Sequence, residues 1–129
     1  MNDDEFNNWK TRLPREGQEY VARVRTLPPA RRPQNRGGMN VVGAFPSKKM
    51  KVAINFESHR NELSAIYLHE HDDDVVAYYD QPEEIKLTYP DAKGRNTGFW
   101  HTPDFLVLRK DGAALQEWKP EEKLVEQPI

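Results

Sequence analysis

The segment Thr102–Pro120, T-P-D-F-L-V-L-R-K-D-G-A-A-L-Q-E-W-K-P, places charged side chains at the adjoining ends of two apolar stretches. Asp104 precedes the first stretch, and Glu117 and Lys119 end the second. Because side chains alternate across a strand, Glu117 and Lys119 should share one face. A hairpin that turns near Asp111 would set Asp104 almost opposite Lys119. The sequence therefore predicts that two carboxylates and one ammonium converge.

These residue types suggest a particular chemistry. Two adjacent carboxylates repel each other unless a cation intervenes. The chain contains no cysteine, and ligands that are all oxygen favour a hard divalent ion such as Mg²⁺ or Mn²⁺. Such an ion, together with a lysine, is suited to the hydrolysis of a phosphodiester bond. The alternative interpretation is a surface cluster of ion pairs with no chemical role.

Periodic patterns upstream of the hairpin supply the elements that would position these groups. Met50–Phe56 alternates apolar and polar residues, which predicts a half-buried strand. Glu57–Glu70 shows helical spacing, and Ser58 fits the N-cap position. Further strands are predicted at V-V-A-Y-Y-D, E-E-I-K-L-T-Y, G-F-W-H-T-P-D-F-L-V-L and A-A-L-Q-E-W-K. This order predicts an α+β domain in which a helix packs on one face of a mostly antiparallel sheet.

The N-terminal third of the chain differs in composition from the remainder. Residues 1–53 contain eleven Lys and Arg against five Asp and Glu, whereas residues 54–129 contain eight against sixteen. A basic part joined to an acidic part is typical of a protein that meets a polyanion and also holds cations. A length of 129 residues suits one domain with a real core.

Local patterns refine this division. Asp3–Leu13 and Gln18–Thr26 show weak helical spacing, and the proline-, arginine- and glycine-rich stretch Leu27–Gly38 is typical of a linker. We therefore expect residues 1–42 to be a basic N-terminal arm with short helices and residues 43–129 to be the folded core. The tail Glu121–Ile129 is predicted to begin a further helix that is cut short. We expect a soluble cytoplasmic protein, since the chain contains no long apolar run and no signal peptide.

Basic residues of the arm and of its junction with the core could contact phosphates. Contacts of this kind bind DNA without sequence preference, although the same residues could serve solubility alone. The residues concerned are Arg31, Arg32, Arg36, Lys48, Lys49 and Lys51.

The sequence also supports predictions for several histidines and tryptophans. The stretch H-E-H-D-D-D, His69 to Asp74, is predicted to be a solvated helix end, because residues two apart do not share a helical face. Trp100 and Trp118 are predicted to lie in the core. His101 either contacts phosphate or packs within its strand.

The pattern P-D…E-x-K resembles the PD-(D/E)xK nuclease superfamily. The longer stretches F-P-S-K-K-M-K-V-A-I-N-F-E-S-H-R-N-E-L, D-D-D-V-V-A-Y-Y-D-Q-P-E-E-I-K-L-T-Y, H-T-P-D-F-L-V-L-R-K-D-G and E-W-K-P resemble the TnsA-type endonuclease subunit of heteromeric transposons, from about Gly43 to Leu124. This resemblance implies a restriction-endonuclease-like core, with a mixed, mostly antiparallel sheet flanked by helices. It also implies that residues 43–129 are a nuclease core that is truncated at the C-terminus.

The resemblance extends the candidate site by a third carboxylate. The family uses a glutamate from the first helix of the core, and spacing assigns this position to Glu62. The implied catalytic set is Glu62, Asp104, Glu117 and Lys119, in which the three carboxylates hold Mg²⁺, or Mn²⁺ in its place. Gln81 matches a glutamine that precedes proline in the family, and it either borders the site or caps a turn.

The implied activity is nicking of DNA at the 5′ ends of a mobile element. The implied partners are double-stranded transposon-end DNA, a TnsB-like DDE-type transposase and a TnsC-like AAA+ ATPase, with no membrane. The protein would associate with the nucleoid when active, and the chain could be the N-terminal part of a TnsA–TnsB fusion. Two alternatives stay open: a catalytically decayed module that binds DNA or the transposase, and another PD-(D/E)xK enzyme of repair or restriction.

Overall fold

Three helices and eight strands make up the computed structural model of the protein, which describes residues 1–26, 42–57, 62–118 and 124–129. The helices are α1 (Asp3–Lys10), α2 (Arg15–Thr26) and α3 (Glu62–His71). The strands are β1 (Val42–Ser47), β2 (Val52–Glu57), β3 (Val75–Asp80), β4 (Ile85–Pro90), β5 (Asn96–His101), β6 (Phe105–Arg109), β7 (Gly112–Trp118) and β8 (Leu124–Pro128).

The strands form three sheets. The central sheet has four strands in the order β3-β6-β7-β8, while β1 pairs with β2 and β4 pairs with β5. Every one of these pairings in the described residues is antiparallel, so the expected mixture with parallel strands is not seen there. The prediction of an α+β fold with antiparallel sheets is confirmed, and a restriction-endonuclease-like core is compatible with this arrangement.

Helices α1 and α2 cover one face of the central sheet. The side chain of Asn2 caps α1 by accepting a hydrogen bond from the backbone N of Glu5 at 2.8 Å. The apolar side chains of both helices, among them Phe6, Trp9 and Val21, are buried in one cluster with those of β6 and β7. The apolar side of each of the two N-terminal helices therefore packs against the core. The proposed division near residue 42 borders residues 27–41, which lie outside the described ranges.

Helix α3 covers the opposite face. Ala65 and Ile66 are fully buried against Tyr78 and against Phe105 of β6. At the C-terminus of this helix, the ammonium of Lys49 donates to the backbone oxygens of His69 and Asp72, at 2.6 and 2.9 Å. A cation at this position complements the helix dipole and satisfies carbonyls that lack an intrahelical partner. The predicted N-cap, Ser58, lies in residues 58–61, outside the described ranges.

The C-terminal tail departs from expectation. A helix was predicted from Glu121, whereas residues 124–128 form strand β8, which pairs with β7 from Ala114↔Pro128 to Trp118↔Leu124. The reason is a cross-strand polar contact: Glu126 accepts hydrogen bonds from Gln116 on β7 and from Arg109 on β6. Tertiary pairing therefore overrides the local helical preference of the tail.

None of the helices in the described parts of the chain is both long and apolar enough to cross a membrane.

Candidate active site

The hairpin β6–β7 positions the carboxylates that the sequence singled out. Arg109 pairs with Gly112, so the turn consists of two residues, and Phe105 pairs with Gln116. The turn therefore consists of Lys110 and Asp111 and centres one residue earlier than predicted. The expected alignment of Asp104 with Lys119 stays a prediction. Lys119 itself lies in residues 119–123, outside the described ranges.

Asp104 is held to its neighbours by its backbone and by its side chain. Its backbone N donates to the oxygen of Gln116 at 3.0 Å, and its backbone oxygen accepts from the N of Gln81 at 2.9 Å. Its carboxylate Oδ2 accepts from the backbone N of Trp118 at 2.8 Å. These bonds tie the start of β6 to β7 and to the end of β3. The half-buried carboxylate of Asp104 therefore has a defined position at one end of the hairpin.

Gln81 adopts an unusual backbone conformation beside Asp104. Its φ is +47°, a value that residues other than glycine adopt infrequently, and the residue is buried. Such backbone strain persists where surrounding contacts enforce it and is concentrated at functional sites. The hydrogen bond from the N of Gln81 to the oxygen of Asp104 is one contact of this kind. Proximity of Gln81 to the candidate site agrees with the resemblance, and a role for its side chain stays a prediction.

Glu117 contacts His101, which was predicted either to contact phosphate or to pack within its strand. Nε2 of His101, the last residue of β5, lies within hydrogen-bonding distance of Oε1 of Glu117. The exposed side-chain fractions are 34% for His101 and 25% for Glu117, so solvent reaches both groups. His101 ends β5 and precedes Asp104 by three residues. That short spacing is the sequence signal that could have identified this contact.

Glu62 lies at the first position of α3 with a buried side chain. Helix α3 packs on the face of the sheet that carries the side chain of Phe105. Glu117 lies two positions after Leu115 on β7, so its side chain is expected on the opposite face, which packs with α1 and α2. Within the described ranges, no three His, Asp or Glu side chains are close enough together to hold a metal ion. The structure thus sets Asp104 against the backbone of Trp118, next to Glu117, and a shared site of Asp104, Glu117, Glu62 and Lys119 stays a prediction.

The basic residues predicted to contact DNA fall into three groups. Arg31, Arg32 and Arg36 lie in residues 27–41, outside the described ranges. Lys48 and Lys51 are exposed around the turn between β1 and β2. Lys49 is partly buried, and its ammonium already binds the carbonyl oxygens at the end of α3. Burial lowers its pKa, although Glu70, Asp72 and Asp73 oppose this effect.

Two interpretations of individual side chains are wrong. His69, expected at a solvated helix end, is 4% exposed and packs against Tyr78 and Phe105. This burial lowers the pKa of His69 to about 4, so the ring is neutral at physiological pH. Trp100, expected in the core, is 62% exposed because it lies on β5, which pairs only with β4 in the described residues.

A cavity borders the candidate site. Its volume is about 1110 Å³, and it is lined by residues of β2, β3 and α2 together with Thr102, which precedes Asp104 by two positions. Asp80 and Gln81 lie on its wall, as do the cationic side chains of Lys51 and Arg25. The cavity adjoins the candidate site through Thr102 and through Gln81, whose backbone N donates to the oxygen of Asp104.

Comparison with known proteins finds one family that this chain resembles. Residues 72–128 match a family model described as TnsA-like endonuclease N terminal. The matched range contains Asp104, Glu117 and His101, and it begins ten residues after Glu62. A search of curated proteins gave no match. The family match confirms the predicted resemblance to TnsA-type endonucleases over residues 72–128.

Proposed function

We propose that this protein is a metal-dependent DNA endonuclease subunit of a heteromeric transposase, which nicks the 5′ ends of a mobile element. The observation that carries this proposal is the hydrogen bond that the carboxylate of Asp104 accepts from the backbone N of Trp118, next to Glu117, inside the matched residues. The partners would be double-stranded transposon-end DNA, a TnsB-like transposase and a TnsC-like AAA+ ATPase. The reaction would be hydrolysis of a phosphodiester bond.

The two carboxylates fit a hard divalent ion. Asp104 and Glu117 supply oxygen donors, which Mg²⁺ and Mn²⁺ prefer. Each carboxylate has about four lone-pair positions, so the single bond from Trp118 to Asp104 leaves capacity for a further ligand. Glu117 is likewise accessible to solvent. When bound, the ion would supply Lewis-acid polarisation of a phosphate oxygen.

The residues of the chain would divide the remaining tasks. Asp104 and Glu117 would hold the ion, and Glu62, at the start of α3, would complete the carboxylate set. Lys119 would align the attacking water or neutralise charge that develops on the phosphate. The hydrogen bonds of Asp104 to β7 and β3 would keep its carboxylate in position, since a site must be held firmly to act.

The test is strand-specific nicking of transposon-end DNA by the complex assembled with its transposase and ATPase. Asp104→Ala should lower the nicking rate by at least about 100-fold, because the ion would lose a ligand. Asp111→Ala is the matched control, since it removes a carboxylate from the opposite end of the same hairpin and should leave nicking intact. Undiminished nicking by Asp104→Ala would show that the assignment is wrong.

One observation favours a second candidate, a nuclease-fold module without activity. The contact between His101 and Glu117 already engages one of the two carboxylates. Such a module would bind DNA or the transposase through the same fold. The nicking assay separates the two candidates, because a module would leave the 5′ strands uncut even with the unaltered chain and Mg²⁺ present.

A further inference from the structure

Strands β4 and β5 form a ribbon, defined here as residues 85–101, that is separate from the central sheet. Their register runs from Ile85↔His101 to Pro90↔Asn96, and within the described residues neither strand pairs with any other. An isolated two-stranded hairpin is marginally stable in water, so a ribbon of this kind commonly has a partner. The exposed ribbon is therefore a candidate surface for binding another molecule.

The charge of the ribbon favours an anionic partner. It carries three cations, Lys86, Lys93 and Arg95, against one carboxylate, Asp91, in a chain whose net charge is −2. Asp91 accepts hydrogen bonds from the backbone N of Lys93 and of Arg95, and from the side chain of Arg95. Asp91 is therefore occupied in shaping the turn, while both lysines lie exposed.

The ribbon also exposes aromatic side chains. Trp100 is 62% exposed, and Phe99 and Tyr89 are each about half exposed, with their ring centroids 6.1 Å apart. Because paired residues share a face, Trp100 stands beside Lys86 on one face. An exposed indole next to an ammonium can pack on a sugar of the DNA backbone while the ammonium is attracted to a phosphate.

Gly98 lies on the same face, between these side chains and the tip of the ribbon. A Cβ at this position would approach the backbone oxygen of Leu87 to 2.6 Å, so any other residue would push the two strands apart. The side chain of Lys86 lies close to the same position, at 3.2 Å through its Cε. Glycine therefore keeps the strands close together and leaves space for the lysine across the face.

The ribbon is continuous with the candidate active site. His101, its last residue, contacts Glu117, and Asp104 follows three residues later. Because side chains alternate along a strand, His101 lies on the opposite face of the ribbon from Lys86 and Trp100. A duplex bound through Lys86 and Trp100 would therefore leave the contact between His101 and Glu117 in place. A two-stranded ribbon also has the width that the major groove of DNA admits.

We propose that the β4–β5 ribbon binds the DNA duplex through Lys86, Lys93, Arg95 and Trp100. This inference rests on the proposed function for the identity of the substrate. The contacts are to phosphate and sugar, so the ribbon contributes affinity that is independent of sequence and sensitive to salt.

The first test measures binding to a duplex of arbitrary sequence, in EDTA, as a function of salt concentration. The double variant Lys86→Gln/Lys93→Gln keeps the Asp91–Arg95 turn and removes two exposed cations. Its dissociation constant should rise at least about tenfold at low salt, and the slope of log affinity against log salt should fall by about two. The matched control, Arg15→Gln/Lys110→Gln, removes two exposed cations elsewhere and should bind as the unaltered chain does.

Three results of this experiment would overturn the proposal. One is unchanged affinity and salt slope in the ribbon variant. Another is an equal loss in both double variants, which would indicate attraction to overall charge. Absence of duplex binding by the unaltered chain at low salt would also overturn it.

The second test uses the fluorescence of Trp100. Trp9 is buried and Trp118 is partly buried, so Trp100 is the tryptophan that solvent reaches most. Adding duplex should quench the emission of the unaltered chain, and Trp100→Phe should remove most of that response. A response to protein concentration without DNA would instead assign this surface to a second copy of the chain and contradict the proposal.

Failure of the ribbon and failure of the nuclease assignment can be distinguished. Duplex binding in EDTA does not require hydrolysis, so Asp104→Ala should bind DNA as the unaltered chain does. Loss of nicking in Asp104→Ala together with unchanged binding in Lys86→Gln/Lys93→Gln would contradict the ribbon alone. The reverse pattern would contradict the nuclease assignment alone.

Discussion

Nε2 of His101 on β5 contacts Oε1 of Glu117 on β7, across sixteen residues of sequence. This contact joins the ribbon to the hairpin, and it restrains the carboxylate that we propose as a metal ligand. Carboxylates that bind metals are commonly oriented by a hydrogen bond from a neighbouring group. The consequences of this relationship can be measured.

His101→Ala should weaken binding of Mg²⁺ or Mn²⁺ by about 10- to 100-fold, because Glu117 would lose the group that orients it. His101→Gln should retain part of the affinity, since an amide can still donate to the carboxylate. Isothermal titration calorimetry with Mn²⁺ measures the dissociation constant of each variant. His71→Ala, which removes an exposed histidine from the end of α3, is the control. An affinity that rises in His101→Ala would show that the histidine competes with the ion.

Asp104→Asn should separate the structural role of this residue from its proposed chemical role. Asparagine can still accept the hydrogen bond from the N of Trp118, so the free energy of unfolding should change by less than about 1 kcal/mol. Asp104→Ala removes the acceptor and should cost about 1 to 3 kcal/mol. Both variants should lose nicking activity. Urea denaturation measures the free energy of unfolding of each variant. An equal decrease in this free energy in the two variants would argue against the contact with Trp118.

Much of this arrangement follows from local pattern. Alternation predicted β2, β4 and the strands of the β6–β7 hairpin, and helical spacing located α3, because residues close in sequence determine these features. The register of this hairpin depends on the position of its turn, which lies at Lys110 and Asp111, one residue before the predicted Asp111 and Gly112. An error of one residue in the turn changes every cross-strand partner by two positions.

Features that depend on tertiary contacts could not be predicted from the sequence. The burial of His69 depends on Tyr78 and Phe105, which lie on two different strands. The exposure of Trp100 follows from the separation of the ribbon from the central sheet. Strand β8 exists because Glu126 meets Gln116 and Arg109 across the sheet.

The cross-sheet contact of Glu126 predicts a measurable loss of stability. Glu126→Ala leaves the buried amide of Gln116 and the guanidinium of Arg109 without this acceptor, which should cost about 1 to 3 kcal/mol. Gln127→Ala, at the neighbouring exposed position of β8, should have little effect. Chemical denaturation of both variants provides the comparison. Equal stability of the two would contradict the pairing of β8 with β7 described above.

The buried ring of His69 predicts a pH dependence of stability. Its pKa is about 4 in the folded protein, below the ordinary value of 6.5, so the unfolded chain binds more protons between these values. The contribution of neutral His69 is complete above pH 6.5, declines as the pH falls, and is lost near pH 4. At about pH 5 the loss should reach about 2 kcal/mol.

The comparison that isolates this effect uses His69→Gln, which cannot titrate. Denaturation at about pH 7.5 and about pH 5 should show a smaller decrease in stability for the variant than for the unaltered chain. An identical decrease in both proteins would assign the pH dependence to other groups.

Divalent-ion binding by Asp104 and Glu117 is the claim on which the nuclease assignment depends most. The direct measurement is a Mn²⁺ titration followed by electron paramagnetic resonance, on the unaltered chain, Asp104→Asn, Glu117→Gln and the control Asp111→Asn. We expect saturable binding by the unaltered chain and the control, and its loss in both site variants. Equal binding by all four proteins, or no saturable binding by the unaltered chain, would contradict the assignment of Asp104 and Glu117 as a metal site.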